Sequence, residues 1–229
     1  MNAQHVVSNE PHHRERLRRI GHRPVIGEDL KRIQITYDLS SLDASYLMGC
    51  HASRYCGLTG NKYANERITP VTRCLLIRLI HDWSAWGRTF PVDQSLFRSP
   101  LMIPSDPSAK HFYRVVRSYM PVIQQRWPAF TEAHMGILLG LSGYRTIERW
   151  TLRGDTPNPV SQNLMTMLIA DDIARDEEAM VEHLERVEQE ATARGHANID
   201  DVLHNSRWNS VKTVKRKKRK NDEVDEEDE

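Results

Sequence analysis

The chain has 229 residues, 39% of them hydrophobic, and its 32 basic and 31 acidic side chains leave a formal charge of +1. That length holds one large domain or two small ones with tails, and five tryptophans supply material for real cores. No run of about 18 apolar residues occurs, which excludes a membrane-spanning helix.

Residues 1–24 are polar and basic, without periodicity, and read as a flexible arm. They contain no apolar stretch of the secretory type, so no signal peptide is expected. Arg14, Arg16, Arg18, Arg19 and Arg23 either follow a nucleic-acid backbone or minor groove, or simply solubilise the end. Residues 25–86 carry a helical pattern broken at Gly49, Gly57, Gly60 and Pro70. Residues 87–108 hold four prolines and no sustained period, and read as a linker. A second helical region covers 109–170. Residues 171–204 read as a helical extension, largely exposed, in which Met180, Leu184, Val187 and Ala191 make a narrow seam. That seam is too short to argue a coiled coil and reads as packing on its own domain. Residues 205–229 form a charged tail of disordered composition. There KTVKRKKRK (212–220) holds seven basic residues and the following NDEVDEEDE seven acidic ones, so the near-zero net charge hides two opposed blocks.

The two helical regions resemble each other. LSSLDASYLMG (39–49) aligns with FTEAHMGILLG (130–140), each with Ser or Thr as N-cap and a closing glycine. ITPVTRCLLIRLI (68–80) aligns with TPNPVSQNLMTMLI (156–169). In each, a proline precedes an apolar stripe, Val71/Leu75/Leu79 or Val160/Leu164/Leu168, which predicts an amphipathic helix. These matches point to an internal duplication.

Within 130–154 the pattern is specific. FTEAHMGILLG predicts a helix starting at Thr131, with Ala133, Ile137 and Leu138 on one face, and Gly140 ends it in a left-handed turn. Leu141 fills the corner and Ser142 is placed to cap a second helix, GYRTIERWTLRG, whose Ile147 and Trp150 face inward. Tyr144, Arg145, Glu148 and Arg149 then face outward. Two short helices joined by a glycine turn, the second with a polar outer face, match a helix-turn-helix.

These residues, L-L-G-L-S then T-I-x-R-W, R-G and P-x-P, resemble the Cro/C1-type, lambda-repressor-like helix-turn-helix family. The likeness covers 130–170, with a weaker copy in 26–80 that lacks the T-I-x-R-W core. The resemblance implies an all-α fold of tandem helix-turn-helix domains with a C-terminal helix and charged tails. It implies a transcriptional regulator of a bacterial mobile element, plasmid or phage, with duplex DNA as partner, and by extension RNA polymerase and a homodimer. Gly143, Tyr144, Arg145, Thr146 and Arg149 would face the major groove, Thr131 and Ser142 would suit phosphates, and Arg153 would sit near the backbone. Both copies depart from the family spacing: Ile147 lies seven residues after Gly140, and Cys56, aligned with it as an inward residue, seven after Gly49.

No other chemistry competes. CHASRYC (50–56) lacks the C-x2-C geometry of a zinc knuckle, so Cys50, Cys56 and Cys74 read as small core residues of a reducing cytoplasm. No nucleophile–base pair, phosphate loop or paired carboxylates appear, so neither a catalytic set nor a cofactor is expected. The rival readings are a DNA-binding partition or packaging subunit, and a protein-interaction adaptor.

Overall fold

The computed structural model describes residues 16–60, 64–68, 70–86, 109–169 and 176–209. The expected linker at 87–108 and most of both charged termini lie outside these residues.

Helix starts follow local capping chemistry. The Ile26 N–H donates to the Asp29 carboxylate at 3.0 Å, opening α1 (Gly27–Thr36). Ser40 Oγ accepts from Asp43 N at 3.0 Å to start α2 (Ser41–Leu47), and α3 (Ala52–Thr59) follows a turn at Gly49. Pro70 precedes α4 (Val71–Ala85). The second region contains α5 (Ala109–Ser118), α6 (Met120–Arg126), the 3-10 helix η1 (Glu132–Leu139), α7 (Arg145–Leu152) and α8 (Pro159–Leu168). Asn158 caps α8 through Ser161 N, with Pro159 at its first position. The chain continues in α9 (Glu177–Ala193), capped by Asp176, and α10 (Ile199–Asn205), capped by Asn198. The described residues are all-helical, apart from an isolated bridge between Ile26 and Arg67.

Both helical regions feed one continuous apolar core. Its centre is the contact of α4 with α8, and α9 lies along α4. The stripes Val71/Leu75/Leu79 and Val160/Leu164/Leu168 are buried, as the periodicity predicts. α4 departs from the expectation of one wet face, because every residue from Val71 to Ser84 is buried. Its polar side chains enter an interior ionic cluster instead. Asp82 accepts from Arg186 Nε at 2.7 Å and from Arg19 Nε at 2.9 Å. Glu190 accepts from Arg78 Nε at 3.0 Å and from Arg194 Nε at 2.7 Å.

Residues 16–24 therefore correct the expectation of a flexible arm. They lie across α4 and α9 as a strap, with Leu17 and Ile20 buried. Arg78 donates to the Gly21 and Arg23 carbonyls, His81 Nδ1 lies 3.1 Å from the Arg18 carbonyl, and Leu17 N–H donates to Ser84 Oγ at 2.9 Å. Arg23 pairs with Asp29 at 2.8 Å. Arg19 and Arg23 are thus committed to carboxylates of the fold. The tail boundary also moves, since Asn205 ends α10 and Trp208 is buried.

α9 is less exposed than expected. Met180, Leu184, Val187 and Ala191 are buried, and so are Ala179, His183, Arg186 and Glu190. The helix packs on α4, α6, η1 and α10, which accounts for a seam wider than a zipper's.

The two halves make reciprocal contacts. A Cβ at Gly49 would stand 2.5 Å from Val160 N, and one at Gly140 would stand 2.6 Å from Thr72 N. Asn163 Nδ2 donates to the Tyr46 and Leu47 carbonyls at 2.9 and 2.8 Å, while Thr72 Oγ1 donates to the Leu139 carbonyl at 2.7 Å. Each turn glycine is therefore pressed against the start of the proline-led helix of the other half, α8 or α4.

Candidate nucleic-acid interface

The site is built on η1, the following turn and α7. Thr131 begins η1 as expected, and its N–H donates to His134 Nδ1 at 3.0 Å. The segment is a 3-10 helix rather than the expected α-helix. Its tighter winding buries five consecutive residues, Met135 to Leu139, and leaves Ala133 exposed rather than facing inward. Gly140 closes it at φ +71°, the left-handed conformation the sequence requires. Leu141 N–H donates to the Gly136 carbonyl at 2.9 Å, which tightens the corner. Gly136 packs so closely that a Cβ there would stand 2.9 Å from the Gly143 carbonyl.

The extra residue of the turn is absorbed at Gly143, at φ +73°. As a result Ser142 does not cap α7. Tyr144 is the N-cap residue, with helical backbone and no capping side chain, and α7 starts at Arg145. Ser142 is exposed in the turn. Tyr144 leans partly buried against the core rather than standing fully outward.

Ile147 and Trp150 are buried as expected and anchor α7. Arg145, Arg149 and Arg153 are exposed, whereas Gly143 and Thr146 are half-buried at the edge of the same face. Arg145 and Arg153 have no carboxylate partner among the described residues. Arg149 pairs with Asp155 through Nε–Oδ2 at 2.7 Å, and Asp155 N–H donates back to the Arg149 carbonyl. The pair is solvent-exposed, so it orients the guanidinium at an energy of about 0–1 kcal/mol and is readily exchanged for another anion.

Sequence reasoning missed α5 as a neighbour of this face. It packs on α7 and η1, and Lys110, Arg114 and Arg117 are exposed along it. Tyr113 OH donates to Glu132 Oε2 at 2.6 Å, and Arg117 Nε lies 3.1 Å from Glu132 Oε1. The hydrogen bond to Glu132, with partial burial, pushes the Tyr113 hydroxyl up to about 12. The one available signal was the basic i, i+4, i+7 run of Lys110, Arg114 and Arg117.

Behind the site, His183 of α9 fixes η1: its Nε2 lies 2.8 Å from the Leu138 carbonyl, in a fully buried setting. Burial, then the nearby Arg186 charge, pushes His183 down to about 3, so it is neutral and donates from Nε2. Below about pH 6.5 the unfolded chain takes up a proton that the native His183 refuses. Stability should therefore fall on acidification, by up to about 1.4 kcal/mol per pH unit from this group. Urea unfolding at pH 7 and pH 5 checks this, because His183→Gln keeps a donor for Leu138 without titrating and should lessen the loss. An equal loss in both proteins would remove His183 as the cause.

The first region contains a second turn-and-helix, but not with the expected inward residue. Cys56 is exposed on α3, and Tyr55, six residues after Gly49, is buried in its place. The count fails because this turn has no counterpart of the additional residue at Gly143. Of the other cysteines, Cys74 is in the core, as expected, and Cys50 is only half-buried. No protein-family model, curated protein or solved structure matches the chain.

Proposed function

We propose that this chain is a sequence-specific DNA-binding transcriptional regulator, built on tandem helix-turn-helix units, that reads the major groove with α7. The observation that carries the reading is a short helix, locked inward by Ile147 and Trp150, whose outer face and C-cap hold three exposed arginines after a left-handed glycine turn. Arg145 and Arg149 have the planar forks suited to guanine O6 and N7, while Arg153 and the basic face of α5 suit phosphates. Thr131 and Ser142, exposed before α7, are available for backbone contact. In this reading the chain binds rather than transforms its partner.

Selection of bound sequences from a random duplex pool tests it. The protein should enrich a defined site, with affinity that falls steeply with salt as phosphate counterions are released. Arg145→Ala and Arg149→Ala should each cost about 1–3 kcal/mol on that site. Leu152 favours a second reading as a protein-interaction adaptor, because it stands 74% exposed at the end of α7, where a partner protein would cover it. Unchanged DNA binding in both arginine variants would favour that alternative.

A further inference from the structure

The reciprocal contacts carry an inference about α3. Exchanging the halves maps Gly49 against Val160 onto Gly140 against Val71; Asn163 on the α2 carbonyls and Thr72 on the η1 carbonyl add a bond across the halves on each side, from non-equivalent positions. The exchange also maps α2 on α8 onto η1 on α4, and α1 on α3 onto α5 on α7, with α4 and α8 facing each other. These pairs describe an internal quasi-two-fold relation whose axis passes between α4 and α8. Under that exchange α3 takes the place of α7.

α3 also has the surface of a reading helix. Tyr55 is its one buried side chain, and its hydroxyl donates to Gln34 Oε1 at 3.0 Å. His51, Ser53 and Arg54 are exposed at its start. The helix contains no carboxylate, and Arg54 has no carboxylate partner among the described residues. A guanidinium, a hydroxyl and an imidazole on a helix free of acid complement base edges and phosphates.

We propose that α3 is a second DNA-reading helix, so that one chain engages a two-part duplex site, the second part through His51, Ser53 and Arg54. This rests on the reading of α7 given above. The two parts have unlike sequences, for two reasons. The turn before α7 is longer by the residue at Gly143, and the outward residues differ, Ser53 and Arg54 against Arg145 and Thr146. A homodimer of a one-motif chain would instead select a palindrome.

The test is selection from a random duplex pool by the full chain, its Arg54→Ala variant and its Arg145→Ala variant, with the mass of each complex measured. The expected result is a site of two non-identical parts bound by one chain. Arg54→Ala relaxes one part and Arg145→Ala the other, each weakening binding roughly 10-fold or more. Arg54 is exposed, so an unchanged melting temperature shows that its variant folds. A site with one part, or a palindrome bound by two chains, that is indifferent to Arg54→Ala overturns the role of α3 and leaves that of α7 intact. Failure of the wild-type chain to enrich any sequence overturns the α7 reading and this one with it.

Discussion

Replacing Gly140 by alanine is expected to destabilise the protein by about 2–5 kcal/mol. Two effects add. The left-handed backbone, at φ +71°, costs an L side chain about 1–2 kcal/mol, and the new methyl would stand 2.6 Å from Thr72 N and 2.8 Å from the Val71 carbonyl carbon. Those neighbours are main chain at the start of α4 and cannot rotate away. Gly49→Ala should behave alike, at φ +59° and with Val160 N at 2.5 Å. Gly143 provides the control, because its φ is +73° but nothing lies within 4 Å of a Cβ there. Gly143→Ala should therefore show the backbone cost alone. Denaturant unfolding of the three variants checks the series, and equal losses for Gly140→Ala and Gly143→Ala would mean that the halves are not pressed together at the turns.

The second large effect is expected at Asp82. Removing its carboxylate by Asp82→Ala leaves Arg186, 2% exposed, with Glu182 at 3.7 Å as its nearest remaining carboxylate. Removing one partner of a buried pair costs about 3–5 kcal/mol, and Glu182 should hold the loss toward the lower end. Arg19 contributes less, being 39% exposed and able to turn to solvent. The double variant Asp82→Leu with Arg186→Met removes both charges and should recover most of the loss, since apolar replacement of a buried pair is often neutral. A double-mutant cycle by chemical denaturation measures this. A single variant as stable as wild type would show that water reaches the cluster.

The unevenness of the sequence reading has physical causes. Capping and the left-handed turn are local, so Ser40, Thr131, Gly140 and the anchors Ile147 and Trp150 were legible from a few neighbouring residues. α4 was misread because Arg73, Arg78, His81 and Asp82 resemble a wet face. Their partners Met48, Glu190, Arg186 and the strap at 16–24 lie 25 to 112 positions away, and periodicity carries no information about them. The same distance hid the commitment of Arg19 and Arg23 to carboxylates. The count that placed Cys56 inward assumed two turns of equal length. In the site, exposure of Arg145 and Arg149 followed from anchoring, but Asp155 beside Arg149 and the basic face of α5 required the fold.

The crossed seating of each turn glycine on the opposite half has a consequence for synthesis. While the first half leaves the ribosome, Gly49 and the end of α2 lack their contacts from the second half until Val160 and Asn163 have been made. At about 5–20 residues per second, that interval is roughly 6–20 seconds, with the apolar flank of α4 uncovered. The newborn chain therefore passes through a period of exposure that a pair of independently folding modules would avoid, and its yield in a cell should respond to chaperone supply more than to the strength of any one contact.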